Sequence, residues 1–124
     1  MNFVKRPVHG GKVDLDGQEM DLSRRLGKNR IAEYEGREII VGFRPEFGLP
    51  DSGENAENVY RLYGTVELTE MLGDNANVYM NIGEHRVILK VAPDAIPAMD
   101  STYRFMVPVD RIYLFDAETE KVID

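Results

Sequence analysis

The chain has 124 residues, a length at which one domain can bury most of its apolar surface and fold alone. Hydrophobic residues make up 43% and charged residues 30%, a globular balance rather than a disordered one, and the absence of cysteine excludes a disulfide frame and thiolate chemistry. With 22 acidic against 15 basic side chains the formal charge is −7; binding a polyanion needs lysines and arginines gathered on one face, so no nucleic acid is expected as partner.

Short apolar segments broken by frequent turn residues predict a mainly β chain. Asn2 to Val4 reads as a first strand. Val8 to Leu15 alternates around Gly10-Gly11, Asp16-Gly17 is a two-residue hairpin signal, and Gln18 to Leu22 returns. Ser23 to Glu35 is the one candidate helix, with Leu26, Ile31 and Tyr34 facing inward. Gly27 interrupts it, so that only Lys28 to Tyr34 is expected to be helical, with Gly36 as its stop. Glu38 to Phe43 is the first core strand, and Phe47 to Asn58 carries so many breakers that it reads as a loop. Tyr60 to Leu68 alternates as a half-buried strand, Leu72 to Asn75 turns, Asn77 to Ile82 is a strand, and Gly83-Glu84 turns into His85 to Val91. After a connector at Pro93 to Pro97 come strands at Thr102 to Val107 and Arg111 to Phe115, then a turn and a short last strand from Lys121 to Ile123. About ten short strands at this spacing suggest a closed or half-closed barrel. The longest apolar runs fall far short of the ~20 residues of a membrane-spanning helix, and no signal-peptide pattern opens the chain.

The run Ile39-Ile40-Val41-Gly42-Phe43-Arg44-Pro45-Glu46 is the most distinctive stretch. Pro45 has no amide hydrogen for a ladder and pushes Arg44 toward extended geometry, so the strand must end in a corner there, one that a salt link between Arg44 and Glu46 could hold. A β-branched side chain at Gly42, where the strand is expected to approach neighbouring backbone, should cost about 1–3 kcal/mol.

That corner resembles the Gly-x-Arg-Pro-Glu motif in the C-terminal accessory domain of the ATP-binding subunits of maltose-type sugar ABC importers. Met1-Asn2-Phe3 resembles the segment with which those subunits leave their ATPase domain. Gly64-Thr65-Val66-Glu67 with Glu70-Met71-Leu72-Gly73 is similar to a second signature, and Val109 to Asp116, through Leu114-Phe115-Asp116, to the closing strand. Each motif alone is weak; four in order across the chain are specific. The resemblance implies that residues 1–124 are a single transport-associated domain of OB-fold-like barrel modules with one short helix, excised from a longer subunit, whose chain ends interleave.

The same resemblance implies a non-catalytic regulatory and dimerisation role. Two such domains stay in contact and hold the paired ATPase subunits together, so that reclosure on ATP is nearly intramolecular. They also offer a surface to cytoplasmic regulators, which act only through differential affinity for the open and closed arrangements. Expected partners are a second copy, the ATPase domain of the same chain, and indirectly the membrane permease subunits, at the inner face of the cell membrane. Gly42, Arg44, Pro45, Glu46, Glu70, Gly73 and Phe115 are the motif residues expected to form this regulatory surface, with Phe47, Leu49 and the Asp51–Asn55 segment beside it as dimer contacts.

No enzyme is expected. The phosphate-cradling Gly-x-x-x-x-Gly-Lys-Ser/Thr run is missing; Gly10-Gly11-Lys12 lacks both its upstream glycine and its following hydroxyl. No cofactor is therefore expected in this chain, ATP and magnesium belonging to the missing ATPase domain. His9 and His85 have no ligand at metal-binding spacing, and Ser23, Ser52 and Ser101 sit in no nucleophile elbow. Glu67 with Glu70, and Asp94 with Asp100, read as solvated or salt-bridged strand ends rather than acid–base pairs. Tyr60, Tyr63, Tyr79, Tyr103 and Tyr113 read as cross-strand packing rather than as a stacking platform for bases. The alternative function is a small-ligand module for an oxyanion or sugar, for which Gly10-Gly11-Lys12 and Arg24-Arg25 are the only candidate groups.

Overall fold

The computed structural model describes residues 1–53 and 56–123. The first strand, β1 (Asn2–Pro7), leads into a hairpin of β2 (Lys12–Leu15) and β3 (Gln18–Asp21), turned by Asp16 and Gly17 at φ 53° and 88°. Two positive-φ residues in a two-residue turn match the right-handed twist of the flanking strands, which is why the Asp-Gly pair is legible. Two short helices follow, α1 (Ser23–Leu26) and α2 (Lys28–Ala32), where the sequence predicts one. Gly27, at φ 89°, separates them as expected. The residues before it are also helical, because the Asp21 carboxylate accepts hydrogen bonds from the Ser23 amide (3.0 Å) and hydroxyl (2.6 Å) and starts a turn there. Ile31 is buried, and Leu26 and Tyr34 pack against the core.

Strand β4 (Glu38–Phe43) occupies the predicted span and lies between β1 and β10 (Tyr113–Asp116), antiparallel to both. The first and last strands of the chain thus close one sheet from either side. The second sheet has the order β5-β9-β6-β7-β8, built from β5 (Leu49–Pro50), β6 (Val59–Met71), β7 (Ala76–Ile82), β8 (His85–Val91) and β9 (Thr102–Pro108). Strand β5 corrects the expectation of an uninterrupted loop from Phe47 to Asn58. Leu49 and Pro50 pair with Met106 and Phe105 at the sheet edge, a place that tolerates proline's missing amide. The last expected strand shrinks to a single bridge between Phe115 and Val122.

Strand β6 runs beyond Leu68, where it was expected to stop. A bulge allows this: Val66 pairs with Met80 and Leu68 with Tyr79, leaving Glu67 as the extra residue. Before the bulge Leu62 and Val66 point into the core; after it Leu68 and Glu70 are exposed. The inward faces of all the sheets, with Ile31, build one core in which Phe43 of the first sheet meets Phe105 of the second at 6.2 Å between ring centroids. A polar residue enters this core: Asn2 is only 5% exposed, and its side-chain amide spans the edge of β8. It donates to the Ile88 carbonyl and accepts from the Ile88 amide, both at 2.8 Å. One side chain thereby stands in for a neighbouring strand and joins the two sheets.

Candidate functional site

Arg44 is extended (φ −80°, ψ 145°), as a residue before proline should be, and Pro45–Phe47 form a single 3-10 turn. The turn is closed by hydrogen bonds from the Phe47 amide to the Arg44 carbonyl (3.0 Å) and from the Gly48 amide to the Pro45 carbonyl (3.3 Å). The expected salt link does not form: Arg44 and Glu46 are both exposed and make no ion pair with each other among the described residues. In water such a pair contributes little against the entropy of fixing two long side chains. What holds the corner is packing. The Arg111 guanidinium stacks 4.5 Å above the Phe47 ring, and Gly48 lies so close to Leu89 that a Cβ there would collide with it. Leu49, next along, is exposed; Glu54 and Asn55, the end of the segment expected to carry dimer contacts, lie outside the described residues.

Gly42 is buried in β4 opposite Phe3 on one side and Tyr113 on the other. A Cβ at Gly42 would stand 3.1 Å from the Phe3 ring and 3.4 Å from the Asn2 carbonyl. The tight neighbour is therefore an exposed ring that can swing away, not backbone. Gly42→Val should accordingly cost near the lower end of the overpacking range, about 1 kcal/mol, read as a small fall in melting temperature.

The seven motif residues do not converge. Gly42 lies in β4, Arg44, Pro45 and Glu46 follow it, and Phe115 pairs beside it opposite Ile40. Glu70 and Gly73 belong to the far end of the β6–β7 hairpin in the other sheet. Glu70 accepts hydrogen bonds from the Tyr79 hydroxyl (3.3 Å) and the Asn77 amide (3.4 Å), and Glu67 from Asn81 (2.7 Å) with Arg86 at 3.3 Å. These are exposed cross-strand pairs with no cleft around them. Gly73, at φ 85°, supplies the left-handed residue of its turn.

A feature the motif reading missed lies on the outer face of the first sheet. Phe3 is 58% exposed and meets Phe115 edge-on, with centroids 5.9 Å apart and rings inclined at 71°. Together with Ile40 and Glu120 they line an open cavity of about 360 Å³, and the bridge to Phe115 sets Val122 beside it. The signal was the parity of Asn2-Phe3-Val4: once Val4 faces the core, Phe3 must face away.

The candidate anion groups are already engaged. Gly10 and Gly11, at φ 62° and 75°, aim their amides at the Glu35 carboxylate, at 2.8 and 3.3 Å. Arg24 stacks over the Tyr60 ring at 5.0 Å, and Arg25 donates from Nε to the Ile112 carbonyl at 2.9 Å. The tyrosines form no common platform: Tyr60 is buried, Tyr103 packs against the core and Tyr113 belongs to the other sheet. Tyr63 and Tyr79, on the outer face of the five-stranded sheet, each lie under an arginine, Arg104 and Arg86, at 5.4 Å. No group of three or more His, Cys, Asp and Glu side chains suited to a metal ion occurs among the described residues.

Burial pushes the Tyr60 hydroxyl up to about 12, while it donates a 2.6 Å hydrogen bond to the Asp21 carbonyl. The folded state then holds this proton more tightly than the unfolded chain. Its contribution is complete below pH ~10 and is lost as pH rises toward 12. Alkaline titration of the folded chain should therefore show unfolding over that window, and in Tyr60→Phe that component of the pH dependence should vanish. Asp21 is lowered chiefly by the Ser23 hydroxyl, Asp51 by Arg61, and Asp116 by the Glu118 amide, so each gives up its contribution as pH falls below the usual carboxylate range.

No family model matches the chain. It is similar to the sulfoquinovosyl glycerol transport ATP-binding protein SmoE of Agrobacterium fabrum, 30% identical over 124 residues, covering 99% of this chain and 33% of that protein. It is also similar to the sn-glycerol-3-phosphate import ATP-binding protein UgpC of Escherichia coli O157:H7, 25% identical over 95% of this chain and 34% of that protein. The chain thus spans about a third of the length of these relatives. Among solved structures, the cytoplasmic molybdate-binding protein ModG, crystallised with molybdate bound, superposes with a TM-score of 0.67 at 19% identity, over 91% of this chain and 94% of that one. That likeness establishes an OB-like, mainly β fold. Along its whole length the chain therefore resembles one third of the ATP-binding subunits of sugar ABC importers, as a C-terminal domain of such a subunit would.

Proposed function

We propose that this chain is a non-catalytic regulatory and dimerisation domain of the ATP-binding subunit of a carbohydrate ABC importer. The observation that carries the reading is the end-to-end similarity to one third of SmoE, in a segment without a phosphate-cradling loop. In this role the domain keeps two ATPase subunits together by pairing with a second copy, and offers exposed surface near the Arg44–Glu46 corner to a cytoplasmic regulator. ATP and magnesium bind elsewhere in the subunit, which works at the inner face of the membrane; no helix among the described residues is long and apolar enough to cross it. The test has two parts. The gene should continue upstream of Met1 into an ATPase, and calorimetry on the 124-residue chain should give no saturable heat with ATP. A micromolar, saturable ATP isotherm would overturn the non-catalytic reading.

The second reading is oxyanion binding, favoured by the fold shared with ModG. Against it stands Glu35, whose carboxylate fills the Gly10–Gly11 amides that an oxyanion would need. A rise in melting temperature with molybdate, graded with concentration, would favour this reading over the first.

A further inference from the structure

We propose that the outer face of the β1-β4-β10 sheet is the docking surface for the folded segment that immediately precedes Asn2 in a longer subunit. This inference rests on the functional reading above and adds to it which face is used. The face has the character of an interface core. Phe3, 58% exposed, stands with Ile40, Phe115 and Glu120 around an open, mostly apolar cavity, Val122 (54% exposed) bridges to Phe115 beside it, and Gly42 leaves the surface flat beneath the Phe3 ring. Apolar side chains gathered around one open cavity, rather than scattered singly, are the pattern that marks an interaction surface.

Two observations choose the occupant. The relatives are about three times as long as this chain, so about two thirds of such a subunit lies outside it. And the attachment point of that remainder is fixed beside the patch. Asn2 is clamped to Ile88 by two 2.8 Å hydrogen bonds, so the residue before Phe3 cannot drift, and a segment joined at Met1 starts within two residues of the exposed ring. A partner tethered that closely docks at a high effective concentration and needs little affinity of its own. A second copy is the weaker occupant of this face: it is not tethered beside the patch and would have to reach it by diffusion.

Hydroxyl-radical footprinting read by mass spectrometry tests this without any substitution. Oxidation of Phe3 and Phe115 is compared between the 124-residue chain and the full polypeptide its gene encodes, with exposed Tyr63 as internal reference. The expected result is a several-fold loss of oxidation at Phe3 and Phe115 in the longer protein, with Tyr63 unchanged. Equal oxidation in a longer polypeptide that does carry an ATPase would overturn this inference alone and leave the functional reading standing. A gene with no preceding segment would overturn both. Protection of Phe3 that grows with concentration of the short chain would assign the face to a second copy and overturn the occupant proposed here.

Discussion

Gly64→Val should unfold the chain far more readily than any change at the Arg-Pro-Glu corner. A Cβ at Gly64 would stand 2.7 Å from the Asn81 carbonyl oxygen, 3.0 Å from Met80 Cε and 3.2 Å from Ile82 Cγ1. The first of these is backbone of the adjacent strand β7 and cannot rotate away. Relief requires β6 and β7 to separate at the centre of the five-stranded sheet, where Thr65 and Asn81 pair. The expected cost is about 3 kcal/mol or more, the upper end of overpacking, and each kcal/mol lowers the melting temperature by several degrees in a domain of this size. The contrast with Gly42→Val is the sharper readout, since there the neighbour is the mobile Phe3 ring. Melting temperatures that fall equally for the two variants would show that the distinction between backbone and side-chain neighbours carries no weight here.

Asn2→Leu is the second large effect. Leucine keeps the branching of asparagine but is larger and apolar, so the change removes both hydrogen bonds while keeping a side chain in the site. The Ile88 amide and carbonyl would each lose a partner at a partly buried edge, at a cost of about 1–3 kcal/mol for each group left unsatisfied. Because the same side chain joins the two sheets, the loss should also be local: amide hydrogen exchange at Ile88 should accelerate more than at Val78, in the middle of β7. An unchanged melting curve together with unchanged exchange at Ile88 would mean that water replaces Asn2 without loss.

Local chemistry was enough for several elements. The Asp16-Gly17 turn, the break at Gly27, the extended Arg44 before Pro45 and the exact alternation of β7 each follow from a residue's own φ preference or from the two-residue period of a strand. The resemblance to importer ATP-binding subunits was likewise readable, and the similarity to SmoE and UgpC agrees with it. The motif residues were legible as positions but not as a site. Glu70 and Gly73 fall in one sheet and Gly42 and Phe115 in the other, and no periodicity within a segment reports which sheet it joins.

What the sequence by itself determined is most of the longer β segments, several of their turns and the lack of a phosphate loop, because these depend on residues within a few positions of one another. It did not determine β5 at Leu49–Pro50, the extension of β6 past Leu68 or the reduction of the last strand to one bridge. Tertiary structure alone decided that Asn2 is buried and Phe3 exposed. In isolation Phe3 is the more hydrophobic and should turn inward; it turns outward because Val4 and the Ile88 edge on β8, 86 residues away from Asn2, claim the inner face. The bulge at Glu67 and the capture of the Gly10–Gly11 amides by Glu35 are of the same kind. In each, the deciding partner is distant in sequence, and its free energy enters only once the chain has closed on itself.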